Sequence, residues 1–161
     1  DPETKIGPVI NQKARENLER LVKTTVSEGA AVITGGNSTD GAGYFFEPTV
    51  LMDVKPGSTI LGEEIFGPIA PIVRFKTEQE AIDLANDTVY GLSGGVWAST
   101  KEKGIAIARR IRTGQVTVNN GRFNPNAPFG GYKQSGNGRE CGTYGLLDFL
   151  ELKAINGYHA D

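Results

Sequence analysis

At 161 residues the chain is long enough for one domain with a buried core, and 38% hydrophobic against 22% charged residues is the balance of a soluble globular protein. A formal net charge of −2, with Lys and Arg scattered, excludes the basic stripe of a nucleic-acid surface, and apolar runs such as residues 69–73 are too short to span a membrane. One cysteine, Cys141, and one histidine, His159, exclude an internal disulfide and argue against any metal site, and they fit a cytoplasmic protein. No signal-peptide pattern follows Asp1. The only methionine is Met52, so Asp1 is expected to be a boundary inside a longer protein.

The first helix is expected at about 11–27, where Ile10, Ala14, Leu18, Leu21, Val22 and Val26 recur at three- and four-residue spacing and Gly29 supplies the C-terminal cap. A short strand follows at 31–34, closed by Gly35 and Gly36, then a polar, glycine-rich loop at 37–43. Residues 44–54 read as extended, broken at Pro48 and therefore of edge type. The dense apolar run 69–75 has the pattern of a strand buried on both faces. Thr77 with Glu80 forms a capping box for a helix to about Asn86, 91–98 is a strand, and Ser99 with Glu102 forms a second box for a helix to about Arg112. A strand at 116–118, a short helix at 144–150 and a terminal strand at 152–158 complete the chain. Strand, helix, strand, helix, strand between 69 and 118 is the order of parallel strands joined by crossovers.

Two glycine-rich segments invite a phosphate-binding reading. Residues 131–136 (GYKQSG) have the spacing of half a P-loop, but Asn137 and Gly138 stand where Lys and Ser or Thr are required. Residues 136–141 lack the third glycine of the dinucleotide fingerprint, and neither segment links a strand to a long helix, so a tight structural turn is favoured. Cys141 has Arg139 nearby but no reason to have the histidine, and a packed, unreactive thiol is the expectation. Residues 61–68 (LGEEIFGP) differ from these. They set two carboxylates and the breaker pair Gly67-Pro68 just before an apolar strand, either as a solvated turn with Phe66 in the core or with one carboxylate facing a cleft.

The segment 63–68 (EEIFGP) resembles a signature of the aldehyde dehydrogenase superfamily, and it has company in the right order: DPETKIGP at 1–8, EGAAVITGG at 28–36, FEPTV at 46–50, NDTVYGLSG at 86–94, GQVTVN at 114–119, PFGGYKQSG at 128–136 and GRE at 138–140. The resemblance covers nearly the whole chain. It implies an α/β fold, a mostly parallel sheet with crossover helices, as a truncated aldehyde dehydrogenase catalytic domain: residues 1–150 its C-terminal part, 151–161 an oligomerisation strand or tail.

In that family a cysteine thiolate attacks the aldehyde, hydride passes to NAD or NADP, and the thioester is hydrolysed to the acid. The resemblance places the nucleophile, the general base, the oxyanion amide and the dinucleotide domain upstream of Asp1, so no catalytic residue is assigned here and the chain alone is expected to be inactive. It gives Glu64 the nicotinamide-ribose hydroxyls, which suits an acceptor-only carboxylate with two oxygens. Phe66 and Leu92 would pack beside the nicotinamide half. Phe129 and Phe123 would line the aldehyde entrance, with Arg122, Asn124 and Asn126 in the loop that shapes it. One departure stands out: some members carry Gln and Lys on the first helix near the adenosine ribose, and the matching positions are Ala14 and Asn17. The whole protein is expected to be a homodimer or homotetramer taking a small-molecule aldehyde. The other readings are a non-catalytic assembly module and a CoA-acylating member of the family.

Overall fold

The computed structural model describes residues 3–157, so Asp1, Pro2, the lone histidine (His159) and the end of the expected terminal strand (Tyr158) lie outside the described residues. Contacts divide the chain into two compact units, Asp1–Leu84 and Ala85–Asp161.

The first unit opens with α1, Gln12–Ser27, capped where the side chain of Asn11 accepts from the Ala14 N–H at 2.8 Å. Gly29, at φ 108, lets the chain turn out of the helix: its N–H bonds the Val26 carbonyl and that of Ala30 bonds the Thr25 carbonyl, a Schellman closure. The buried stripe is Leu18, Leu21, Val22 and Thr25. Thr25 replaces the expected Val26 because it sits seven residues from Leu18, and its hydroxyl is satisfied by the Leu21 carbonyl at 2.7 Å. Ile10 precedes the cap and is exposed.

A three-stranded sheet lies in the same unit: β1 (Ala31–Thr34), β2 (Thr49–Met52) and β3 (Ile69–Pro71), in the order β1-β2-β3. The β1–β2 pair is antiparallel with an irregularity between Val32 and Thr34, and β2–β3 is parallel. This corrects two expectations. β2 is central rather than an edge, because Pro48 falls just before its first paired residue and so never has to donate to the ladder. β3 is short and is itself the edge, with Ile69 buried, Ala70 exposed, and Ile72 and Phe75 substantially exposed. The core gathers Leu18, Leu21, Leu51, Ile60 and Ile69, and Ile60 comes from a one-turn helix, α2 (Thr59–Gly62), that the apolar periodicity does not reveal. Glu28, just past α1, fastens α2: both oxygens accept from the Thr59 N–H at 3.2 Å and one accepts from its hydroxyl at 2.5 Å.

α3, Glu78–Asn86, begins as expected, with the Thr77 hydroxyl accepting from the Glu80 N–H at 3.1 Å, but the Glu80 carboxylate reaches back to the Lys76 N–H at 2.6 Å rather than to Thr77.

The second unit holds β4 (Ser93–Val96), α4 (Lys101–Ala108) and β5 (Gln115–Val118), with β4 and β5 parallel. This is a strand–helix–strand crossover, and β3 pairs with β2 rather than with β4. The α4 cap is Thr100, accepting from Lys103 at 3.2 Å, in place of the expected Ser99. The helix stops at Ala108, after which Arg110 and Ile111 bond three residues back in tighter turns. Buried Gly104 lets α4 meet β5, since a Cβ there would lie 2.5 Å from Val118 Cγ1. A 3₁₀ turn, Lys133–Ser135, and α5, Gly142–Leu147, follow. Residues 151–156 carry no strand, correcting that expectation: Leu152 and Ile155 are 95% and 80% exposed, and a lone strand without a neighbour has no ladder to join.

The Thr59 hydroxyl holds the Glu28 carboxyl below the ordinary 4.5, against a smaller opposing desolvation and with help from the Thr59 N–H and the Ser58 hydroxyl. A depressed folded value means the stabilisation is full above 4.5 and is lost as pH falls through the lowered value. Glu28→Gln should therefore lower thermal stability at neutral pH and flatten its dependence on pH below 4.5; an unchanged acid limb would contradict this role.

Candidate functional site

In the first unit the sequence pattern at 63–68 becomes an alternation. Glu63, Ile65 and Gly67 turn toward the body of the unit, while Glu64 and Phe66 are exposed. Each inward residue has a partner. Glu63 ends α2 with extended backbone (φ −106, ψ 150) and pairs with Arg20 of α1 at 2.7 Å. Ile65 packs on the core, and Gly67 sits against Leu18, where a Cβ would lie 2.4 Å from Cδ1. Asn17, the departing position on α1, accepts from Arg20 Nε at 3.1 Å and Nη2 at 2.8 Å, so its amide is engaged within the helix.

The outward residues are free in a complementary way. The Glu64 carboxylate has no partner among the described residues. Phe66 is 75% exposed rather than in the core and sits at φ 46, a left-handed conformation costing an aromatic residue about 1 kcal/mol or more. An unused two-oxygen acceptor and an exposed ring on a tethered loop fit a ligand carrying a vicinal diol and a flat heteroaromatic group.

In the second unit Leu92 and Phe129 come together at an open cavity of about 370 Å³, also lined by Arg139, Glu140, Asp148 and a floor of glycines. That volume is in the range of small-ligand sites. Phe129 is held by a reciprocal bridge with Glu140, two backbone bonds of 2.7 Å. Phe123 meets it edge to face, with ring centroids 6.3 Å apart and planes at 73°. Arg122, Asn124 and Asn126 are exposed, and Asn124 folds the loop by accepting from the Asn126 N–H at 3.0 Å.

Gly114 and Gly130 are there for close backbone approach. A Cβ on Gly114 would lie 1.6 Å from the Gly130 carbonyl, and one on Gly130 would lie 2.1 Å from that of Gly138. Arg139 closes the segment: its Nη1 donates to the carbonyls of Gly131, Asn137 and Gly138 at 2.9–3.0 Å, its N–H bonds Asp148, and its guanidinium lies over Tyr132 at 5.5 Å. No local motif gives this arginine a role; the folded loop does. Cys141 is exposed rather than packed, and it sits at φ 63 immediately before α5.

The family profile described as the Aldehyde dehydrogenase family matches residues 1–155. The chain belongs to the aldehyde dehydrogenase family. It is 47% identical over 156 residues to a succinate-semialdehyde dehydrogenase of Paenarthrobacter nicotinovorans, covering 96% of this chain and 35% of that protein. It is 45% identical over 161 residues to the benzaldehyde dehydrogenase YfmT of Bacillus subtilis (strain 168), covering 99% and 33%. Among solved structures, the aldehyde dehydrogenase of Mycobacterium tuberculosis complexed with NAD+ superposes with a TM-score of 0.91 at 44% identity, over 99% of this chain and 34% of that one. The chain thus spans about a third of the length of its relatives. Among the described residues no helix is long and apolar enough to cross a membrane.

If Gly67 is kept small by Leu18, Gly67→Ala should lower the thermal midpoint, and combining it with Leu18→Ala should cost less than the two single losses added together. Strict additivity in thermal unfolding would contradict the contact.

Proposed function

We propose that this chain forms one wall of the catalytic site of an NAD(P)-dependent aldehyde dehydrogenase, whose full length oxidises an aldehyde to the carboxylic acid through a cysteine thioester. The observation that carries this reading is the Glu64 loop, an acceptor and a ring exposed together while their neighbours anchor the segment. Bound nicotinamide dinucleotide supplies the hydride acceptor. Every other contribution of these residues is positional. Glu64 accepts hydrogen bonds from the two hydroxyls of the nicotinamide ribose, and Phe66 and Leu92 give the nicotinamide half an apolar surface that excludes water. Fixing a reacting ring in this way removes orientational freedom that would otherwise burden the transition state. The NAD+ complexes among similar solved structures support NAD as the cofactor.

Phe129 and Phe123 line the aldehyde entrance, and the polar residues of 122–126 tune what enters. The nucleophile and the general base lie outside these residues. In the same reading residues 1–150 belong to the catalytic domain and 151–161 form a tail for a homodimer or homotetramer, supported by Leu152 and Ile155, apolar and 95% and 80% exposed. The modest charge and lone thiol support a cytoplasmic setting.

Two measurements test the reading. Glu64→Ala in the whole protein should slow single-turnover hydride transfer roughly tenfold or more, since a charge-assisted hydrogen bond contributes about 1.5–3 kcal/mol. An unchanged rate removes Glu64 from the site. The 161-residue chain alone should form no reduced cofactor from NAD or NADP with any aldehyde, and measurable turnover would refute a nucleophile lying elsewhere.

A further inference from the structure

We infer that Arg20 is a positioning residue that makes Glu64, rather than its neighbour Glu63, the carboxylate available to the cofactor; this rests on the proposed ribose site. Glu63 and Glu64 are chemically identical and adjacent, so either could accept from a diol. Arg20 removes the ambiguity. Its Nη2 donates to Glu63 Oε2 at 2.7 Å, and the guanidinium is already oriented before it reaches the loop, because Nε and Nη2 both donate to Asn17 Oδ1 one helical turn earlier.

With side chains 49% and 37% exposed, the Arg20–Glu63 pair is too solvated to matter much for folding. Its effect is geometric. Three tethers hold the loop to the unit: Ile65 on the core, Gly67 on Leu18 and Glu63 on Arg20. The first two lie on the C-terminal side of Glu64; on its N-terminal side the ion pair is the tether nearest to it, following α2, which Ile60 and the Glu28–Thr59 bonds anchor. Removing it leaves the residue next to Glu64 untethered, with the nearest hold on that side now in α2, and beside Glu64 a second carboxylate that is no longer occupied. The strained φ of 46 at Phe66 adds a reason for the loop to relax once released.

The test uses the whole protein with Arg20→Ala, Glu63→Gln, the double variant and Glu64→Ala. Three quantities are measured on each: hydrogen exchange of the amides of residues 62–67 without cofactor, the dissociation constant of NAD by titration calorimetry, and single-turnover hydride transfer. Arg20→Ala should speed exchange in the loop and slow hydride transfer by about fivefold, the scale of an exposed ion pair, with a smaller change in NAD affinity. Glu63→Gln should do the same, and the double variant should be no slower than either single one, because both remove one contact. A full hydride-transfer rate in Arg20→Ala, whether or not its thermal midpoint falls, overturns the inference. If Glu64→Ala is slow in that case, the ribose site stands and only the role of Arg20 is lost. If Glu64→Ala is also at full rate, the failure lies in the ribose site itself.

Discussion

The packing of the loop at 63–68 on α1 depends on a side chain that is absent. Gly67 lets the loop backbone come down onto Leu18, a fully buried residue of the helix stripe, at a distance where any Cβ would collide with both methyl groups. That contact fixes where the loop crosses the helix. Ile65 then falls on the core and Glu63 falls within reach of Arg20, and what remains, Glu64 and Phe66, has no direction left but outward. The exposed pair is a consequence of how tightly its neighbours are held.

Glycine does the same work in the second unit. Phosphate loops need glycine so that N–H groups can converge on an anion. Here Gly114 and Gly130 let carbonyl-bearing stretches of chain pass within contact of one another, and Arg139 gathers the carbonyls. The result is a floor of closely approaching backbone beside Leu92 and Phe129, with Nη1 of Arg139 engaged by the carbonyls of Gly131, Asn137 and Gly138.

The helices were readable where their signals are local. Asn11, the apolar spacing and Gly29 locate α1 because capping and periodicity act within a few residues. The run at 69–75 misled because apolar residues record that burial occurs, not what provides it: only Ile69 is buried among the described residues, while Phe75 is exposed. Ser99 and Thr100 are adjacent hydroxyls that composition cannot rank, and the backbone chose Thr100. Leu92 and Phe129 come from separate motifs, with 36 positions between them, and the structure brings both to one cavity. Arg20 was not legible, since a side-chain pair spanning 43 residues leaves no trace in any local pattern.

Membership of the aldehyde dehydrogenase family rests on the match over residues 1–155, and the part this chain plays rests on the direction of one carboxylate. A crystal structure of the whole protein with NAD bound measures that direction. The account predicts Glu64 oxygens within hydrogen-bond distance of both hydroxyls of the nicotinamide ribose, with Glu63 still on Arg20. A ribose contacted by other residues, with Glu64 left in solvent, would contradict it.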